Sequence, residues 1–274
     1  MNKKPAIFLC GHGSRNCEAL KEFHTLVARL RDRLPDRQIG YGFLEFAEPT
    51  IDQGLENLRA QGAQEIHAVA LTLFEGKHAA KDIPALLRDF GASHPDLRLH
   101  YGGGLGSSLH GDKILAIIDD RICDAEAGAK PIKRAESFLL LVARGTATER
   151  AGEIYQKMAA CLQESHGFMG AVAAFSGLTK PSVAAGLEIA QQTGATRILV
   201  VPCFLFTGKL LKNLHKTVLT AAENTQTVGA PPTGTQTEFL VAAHFFGHPL
   251  LESALMERIL ERQTLEKPSG CARA

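Results

Sequence analysis

The stretch Leu71–Pro84 reads Leu-Thr-Leu-Phe-Glu-Gly-Lys-His-Ala-Ala-Lys-Asp-Ile-Pro and continues an apolar run that starts at Ala68. The apolar run predicts a buried strand that breaks at Gly76, and His78 then stands where a turn or helix should begin. In α/β proteins the carboxyl ends of parallel strands open onto the crevice where ligands bind. The pattern therefore places candidate chemistry at His78.

A second stretch has the same organisation. The strand-like run Ala6–Cys10 leads directly into Gly-His-Gly-Ser, with the histidine at position 12. A third strand-like run, Ile39–Phe43, is followed two residues later by Glu45. Two imidazoles and a carboxylate with open coordination positions suit a divalent first-row metal that must be held and then released. The three residues are therefore candidates for one metal site.

Apolar runs alternate with longer amphipathic segments, which is typical of right-handed βαβ units and a parallel sheet. The predicted strands of the first part of the chain are Ala6–Cys10, Ile39–Phe43, Ile66–Leu73 and Leu97–Tyr101, with helices over about 16–34, 49–61, 79–90 and 109–123. A strand order of 2-1-3-4 would make strands one and three neighbours, about 5 Å apart. His12 and His78 would then face each other, with Glu45 approaching from the side.

The pattern begins again after a polar segment at residues 124–136. Positions 144, 181, 194 and 208 repeat the motif positions 12, 49, 62 and 76 at a constant offset of 132 residues. An ungapped register over four motifs indicates an internal duplication. We predict two similar α/β domains, residues 1–130 and 131–274, each with a parallel sheet flanked by helices.

The two copies differ at the candidate site. At the same offset His12 becomes Arg144, Glu45 becomes Gly177 and His78 becomes Leu210. The groups suited to metal or proton chemistry therefore occur only in the first copy. We expect a single N-terminal site, with the second copy closing or shaping it.

Composition excludes several classes of function. The chain has 274 residues, 45% of them hydrophobic, and a net charge of +1, so no charge excess indicates nucleic acid. We expect no membrane association, because no apolar run approaches the length of a membrane span. The six cysteines are scattered without a Cys-x-x-Cys pair, which fits a reducing, cytoplasmic location.

Taken together, the motifs resemble a known family. The segments Cys10–Arg15, Phe43–Pro49 and Phe74–Pro84, with the degenerate second copy, resemble the sirohydrochlorin chelatases. These are the class II chelatases of cobalamin and sirohaem synthesis. The resemblance covers about residues 5–262 and is to the long form, in which a short chelatase is fused to a copy of itself.

This resemblance implies ATP-independent insertion of Co²⁺, or next Fe²⁺, into sirohydrochlorin or a related tetrapyrrole. It implies that His12 and His78 bind the metal, and that Glu45 helps to hold the metal or accepts pyrrole protons. The macrocycle would lie in a cleft between the halves. From their positions in the chain, candidate partners of its carboxylates are Arg15, Lys77, Lys81, Arg144, Lys209 and Lys212. No iron–sulfur cluster is expected, since the tail contains one cysteine only.

Ordinary roles are the alternative for single residues. Glu45 could be a surface carboxylate, and Arg144 could pair with an acid. Cys10 is expected to be a small buried strand residue. The other nine histidines are assigned packing or solvent-exposed roles, with His244 and His248 left open because they lie near the expected cleft.

Three other functions compete with metal insertion. A metal or tetrapyrrole carrier would use the same ligands. A histidine phosphatase would need an arginine immediately before the histidine, where this chain has Gly11. A nucleotide-binding domain would need a phosphate loop, and Gly102–Gly104 has neither the lysine nor the dinucleotide spacing. The choice between Co²⁺ and Fe²⁺ stays open, and the fused chain is expected to be a monomer or a homodimer.

Overall fold

The computed structural model describes residues 4–73, 76, 78–106, 111–145, 149–177, 179–227 and 236–260. Within the first repeat, strands and helices alternate. The strands are β1 (Ala6–Gly11), β2 (Ile39–Phe43), β3 (Glu65–Ala70) and β4 (Arg98–Tyr101). The helices are α1 (Cys17–Arg33), α2 (Ile51–Ala60), α3 (Ile83–Ser93) and α4 (Gly111–Ala127), and a π-helical turn at His78–Asp82 leads into α3.

The second repeat has the same succession of elements. Its strands are β5 (Ser137–Ala143), β6 (Gly170–Phe175), β7 (Arg197–Pro202) and β8 (Glu238–Val241). Its helices are α5 (Glu149–His166), α6 (Val183–Gln192), α7 (Lys209–Thr227) and α8 (Pro249–Leu260). A short 3-10 turn at Arg134–Glu136 lies in the predicted linker.

Two parallel four-stranded sheets result, with the orders β2-β1-β3-β4 and β6-β5-β7-β8. The predicted α/β class and the 2-1-3-4 order are therefore confirmed. In each sheet the two central strands are mostly apolar, and both faces are covered by helices, as parallel sheets require. The alternation of strand residues decides which face each side chain enters.

The core of the first sheet illustrates this alternation. On one face Phe8, Ile66 and Ala68 pack with Leu55 of α2 and Leu87 of α3 in one buried cluster. The intervening residues, such as Leu9 and Val69, are also buried. The second sheet has an equivalent cluster, in which Leu140 and Val200 pack with Leu187 and Leu214.

Backbone features recur at the predicted offset. Gly13 and Gly145 have φ values of +89° and +75°, and Gly62 and Gly194 have values of +83° and +73°. Isolated parallel bridges join Phe43 to Thr50 and Phe175 to Ser182. The duplication inferred from the sequence is therefore also present in local backbone geometry.

Helix α2 starts later than position 49, where the sequence pattern places its beginning. Pro49 was expected in the first helical turn, but α2 begins at Ile51 with Thr50 as its N-cap. The Thr50 side chain accepts from the Gln53 backbone N–H, and the Gln53 side chain accepts from the Thr50 N–H. This reciprocal capping satisfies two backbone donors that would otherwise have no partner, which explains the start at Ile51.

The chain divides into two compact units whose boundaries differ from those of the two repeats. Each unit contains the last helix of the other repeat. One unit contains residues 1–111 and 249–274, and the other contains residues 112–248. Thus α8 packs against β3 of the first repeat, and Arg258 Nε donates to the Gly104 carbonyl at 2.7 Å. In the other unit, α4 places Asp120 Oδ2 3.2 Å from His248 Nε2. The division at residue 130 stays a prediction about the repeats.

Among the described residues, none of the helices combines the length and the apolar composition needed to cross a membrane.

Candidate metal centre

The three predicted metal ligands all follow strands of the first sheet. His12 comes immediately after β1, Glu45 lies two residues after β2, and His78 opens the π-helical turn that follows β3. Strand β1 lies between β2 and β3, so the chain leaves β1 toward one side of the sheet to form β2 and then crosses to the other side to form β3. Such a reversal leaves a crevice at the carboxyl ends of the strands. The topology therefore brings the three residues to one edge.

His12 and Glu45 form a close pair. His12 Nε2 lies 3.4 Å from Glu45 Oε1. The backbone places the two residues side by side, because the Glu45 N–H donates to the His12 carbonyl at 3.1 Å and the Leu44 N–H donates to the Gly11 carbonyl at 3.0 Å. The two segments thus continue the β1–β2 ladder for two residues beyond the strands, which holds the imidazole beside the carboxylate.

Gly13 makes this close approach possible. Its φ of +89° lies in the left-handed region that favours glycine, and an added Cβ would fall 1.8 Å from the Glu45 carbonyl oxygen. No side chain other than hydrogen fits there without moving the Glu45 backbone. The glycine of the Gly-His-Gly motif is therefore a packing requirement of the site.

His78 is oriented by a residue of its own turn. Its Nδ1 lies 2.8 Å from Asp82 Oδ2, four residues later in the π-helical turn. Pairing of Nδ1 with a carboxylate leaves Nε2 as the nitrogen available to a metal, and it makes the imidazole a better ligand. Single π-helical turns are rare and occur often at functional sites.

The two imidazoles lie against each other. The ring centroids of His12 and His78 are 4.9 Å apart with an interplanar angle of 30°. The side chains of His12, Glu45 and His78 are 21%, 45% and 40% exposed, so the site is open to solvent on one side. Such an arrangement can accept a hydrated metal ion and pass it on, which a closed four-ligand cage cannot do.

An aromatic residue borders the pair. Phe46 has a φ of +66° and is 51% exposed, which is unusual for a large apolar side chain. The rings of Phe46 and His12 meet edge-on with their centroids 6.0 Å apart. The Arg15 guanidinium carbon lies 5.1 Å from the centroid of the Phe46 ring. The site thus combines an apolar surface with a cation beside the metal-ligand candidates.

The remaining predicted residues fall in three groups. Arg15 and Lys81 are exposed near the pair, Lys81 within the π-helical turn. Arg144 follows β5 and is exposed, and Lys209 and Lys212 are exposed at the start of α7, all in the second unit. Lys77 lies outside the described residues. The structure thus brings two of the predicted carboxylate partners to the edge that carries His12.

His248, one of the two histidines left open, and Cys10 both have packing roles. His248 is 7% exposed, and burial, together with nearby Arg121, lowers its pKa. Its contact with Asp120 favours packing over catalysis. Cys10 is fully buried, and burial raises the pKa of its thiol, so the expectation of a small buried strand residue is confirmed.

Sequence reasoning missed two residues of the site. Asp82 was assigned no role, although its spacing of four residues from His78 is the spacing at which helical side chains meet. Phe46 gave no signal, because its exposure depends on a left-handed backbone conformation that the sequence pattern does not predict.

Comparison with known proteins identifies the family. The CbiX family model matches residues 6–125 and again residues 138–262, which together are most of the chain. The chain belongs to the CbiX family. The resemblance inferred from the motifs is confirmed, and so is the tandem arrangement of two copies.

Relatives of known name are chelatases of both metals. The chain is 28% identical over 268 residues to the sirohydrochlorin cobaltochelatase of Priestia megaterium, which covers 97% of this chain and 82% of the relative. It is 29% identical over 210 residues to the sirohydrochlorin ferrochelatase of the same organism, covering 77% of this chain and 76% of the relative. Similarity of this degree does not separate the two metals.

A solved structure has the same fold. SirB from Bacillus subtilis, determined with Fe3+, superposes with a TM-score of 0.74 at 23% identity. The match covers 93% of this chain and 94% of that chain. The predicted fold class is therefore confirmed independently of the sequence motifs.

Proposed function

We propose that this chain inserts a divalent metal into sirohydrochlorin, with Co²⁺ as the first candidate and Fe²⁺ as the second. The observation that carries the proposal is the stacked pair of His12 and His78 with Glu45 Oε1 3.4 Å from His12 Nε2, in a chain of the CbiX family. The chelatase names of the relatives supply the reaction class and the tetrapyrrole.

The chemistry of metallation accounts for each group. Insertion replaces two pyrrole N–H protons by one dication, so the site must deliver a metal and accept protons on the same side of the macrocycle. His12 and His78 would hold the metal through imidazole nitrogen, with Asp82 fixing the orientation of His78. Glu45, nearly half exposed and beside His12, would steady the metal or take up a proton.

Substrate contacts form a second part of the proposal. Sirohydrochlorin carries many carboxylates, and cations near the edge of the sheet would pair with them. Arg15 and Lys81 are exposed beside the metal-ligand candidates, and the exposed ring of Phe46 offers a face on which a macrocycle can stack. Arg144 of the second unit and Lys77 are proposed as further contacts from their positions in the sequence. The tetrapyrrole would be released to a cobalamin or sirohaem pathway in the cytoplasm.

The decisive experiment follows the visible spectrum of sirohydrochlorin with Co²⁺, and separately with Fe²⁺ without oxygen, in the presence of catalytic amounts of protein. The wild type, His12→Ala and His78→Ala are compared with a reaction that lacks protein. We expect multiple turnovers that disappear in both variants, and the faster metal indicates the pathway.

The alternative function is a carrier that binds metal or tetrapyrrole without turnover. Tight pigment binding with no acceleration over the protein-free reaction would favour the carrier. Full activity in both histidine variants would contradict the N-terminal site.

A further inference from the structure

A second group of metal-ligand side chains lies away from His12, Glu45 and His78. Glu65 and His67 of β3 and His100 of β4 offer one carboxylate oxygen and two imidazole nitrogens that all lie within 4.8 Å of one another. Of the residues that the structure describes, only this group brings three or more such ligand atoms so close. We call it the β3–β4 cluster.

Strand geometry assembles the β3–β4 cluster. Glu65 and His67 are two residues apart on β3, so their side chains emerge on the same face of the sheet. His100 is the registered partner of His67 on β4. This face is opposite the one on which Ile66 and Leu99 join the apolar core. The two imidazole rings meet edge-on with centroids 4.8 Å apart.

The ligand atoms converge on one oxygen. Glu65 Oε1 lies 3.1 Å from His100 Nε2 and 3.6 Å from His67 Nε2. Ligands of a tetrahedral zinc ion, with bonds of about 2.0–2.1 Å, are about 3.3 Å apart. The two oxygen–nitrogen separations are thus near those of ligands that share one metal ion. The other carboxylate oxygen, Oε2, is engaged by Arg98 Nη2 at 3.0 Å, which fixes the direction of Oε1.

The cluster is largely withdrawn from water. Burial raises the pKa of Glu65 and the hydrogen bond from Arg98 lowers it, so that the pKa lies below its ordinary value. His67 is 3% exposed, and the side chains of Glu65 and His100 are 19% and 15% exposed. A metal held here would be shielded from bulk water, while these two side chains leave an entry.

The second repeat provides an internal comparison. At the corresponding register, β7 and β8 pair Arg197 with Glu238, with Arg197 Nη2 2.7 Å from Glu238 Oε2. Both repeats therefore have an ion pair at this register, with the acid on β3 and the base on β4 in the first repeat and the base on β7 and the acid on β8 in the second. Two strand positions further on, Leu199 pairs with Leu240, where the first repeat pairs His67 with His100.

This comparison shows that the fold does not need imidazoles at these positions. A leucine pair fills the same place in the second sheet, and Leu199 is fully buried there. Burying polar groups costs free energy unless they are well partnered. A buried and a half-buried histidine that both face one carboxylate oxygen, where the second repeat has a leucine pair, therefore point to a ligand.

We propose that Glu65, His67 and His100 form a second divalent-metal site, which retains one ion of the zinc or cobalt type rather than passing it on. Water would complete the coordination. The ion would join the edge strand β4 to β3, in the sheet whose carboxyl edge carries His12. This proposal does not depend on the proposed chelatase activity.

The test uses the untagged, metal-free protein carrying His12→Ala and His78→Ala, which removes the two histidines of the proposed transfer site. It is titrated with Co²⁺, whose visible absorption reports nitrogen and oxygen coordination, and the retained metal is measured after desalting. We expect one equivalent of Co²⁺ with visible bands. Adding His67→Leu and His100→Leu should weaken binding by at least about 10-fold. Removing a residue that only hydrogen-bonds a metal ligand already weakens binding by about this factor, and removing the ligand itself should weaken it more.

The leucine pair is chosen because the second repeat already contains it, so the variant should fold. Glu65→Gln provides a second variant of nearly unchanged shape and should also weaken binding at least about 10-fold. His24→Asn, an exposed histidine of α1, is the matched control and should change nothing. The proposal is overturned if the starting variant retains no Co²⁺, or if binding survives both the leucine pair and Glu65→Gln. Because His12 and His78 are already absent, failure here leaves the chelatase proposal unaffected.

Discussion

The carboxyl edges of the two sheets share a backbone but carry different side chains. After β1 the chain continues as His12-Gly13, and after β5 as Arg144-Gly145, with a left-handed glycine in both. The ladder also extends in the same way, with Leu44 N–H donating to the Gly11 carbonyl and Ser176 N–H to the Ala143 carbonyl. The framework of a site was therefore copied together with the fold.

The side chains of the second copy no longer form a site. Gly177 replaces Glu45, and a Cβ at this glycine would fall 2.6 Å from the Arg144 carbonyl oxygen, so the backbone now excludes a carboxylate. Leu210 and Leu214 replace His78 and Asp82, and both pack with the apolar core of the second sheet. The comparison shows that the same positions of one fold can carry either candidate ligands or packing residues. Four substitution experiments test this comparison.

The largest effect is expected from the histidines. His78→Ala should lower the insertion rate by at least about 100-fold with little change in the melting temperature, because a half-exposed ligand contributes more to the site than to the core. Leu210→Ala at the equivalent position should do the reverse, lowering the free energy of unfolding by about 1–2 kcal/mol with an unchanged rate. Rates and melting curves of both variants test this, and an unchanged rate for His78→Ala would place the site elsewhere.

The glycines give a graded series. Gly13→Ala should lower the free energy of unfolding by about 3 kcal/mol or more, because the new methyl group meets backbone. Gly145→Ala should cost less, since its nearest contact is the Thr179 side-chain oxygen at 2.9 Å. Gly62→Ala, with φ of +83° and open space, should cost about 1 kcal/mol from backbone strain alone.

Denaturant unfolding of these three variants measures the series. Equal losses for Gly13 and Gly62 would show that the contact with the Glu45 carbonyl has no energetic consequence.

Asp82 should have a smaller effect on the rate than its partner His78. Asp82→Asn keeps the size of the side chain but removes the charge that orients the imidazole, and we expect a loss of about 10–100-fold in metal affinity or rate. Asp82→Glu should recover part of the loss. Asp89→Asn, an exposed acid on α3, is the control. A purely structural role for Asp82 would instead change the melting temperature and leave the dependence of the rate on metal concentration unaltered.

The smallest effect concerns acid stability. The pKa of Glu65 is lowered in the folded protein, so its contribution to stability is present above its unfolded pKa and is lost as the pH falls through the folded value. Glu65→Gln removes this contribution. The free energy of unfolding of the variant should therefore fall less steeply than that of the wild type between about pH 5 and pH 3.

Urea unfolding at several pH values tests this slope in metal-free protein, with Glu164→Gln as the exposed control. Identical slopes for the wild type and Glu65→Gln would mean that the Arg98 contact does not persist in solution.

The fold could be predicted because its determinants are local or repeated. Apolar runs such as Ala6–Cys10 identify buried strands by themselves, and the offset of 132 residues transfers each assignment to the second half. The positions of His12 and His78 at strand ends were sufficient to predict their proximity, since parallel strands end at a common edge. The start of α2 was placed too early, because the capping preference of Thr50 outweighs the preference of Pro49 for a first turn.

Strand periodicity and motif spacing along the chain were sufficient to predict the fold class, the duplication and the common edge of the candidate ligands His12, Glu45 and His78. Which other distant residues meet depends on the three-dimensional structure. The register of β3 against β4 joins His67 to His100, and the packing of α8 against β3 carries Arg258 to the first unit. Such contacts depend on strand pairing and helix docking across many residues, so no local pattern predicts them. The left-handed backbone conformation of Phe46, which is half exposed, was likewise not predictable from a local pattern.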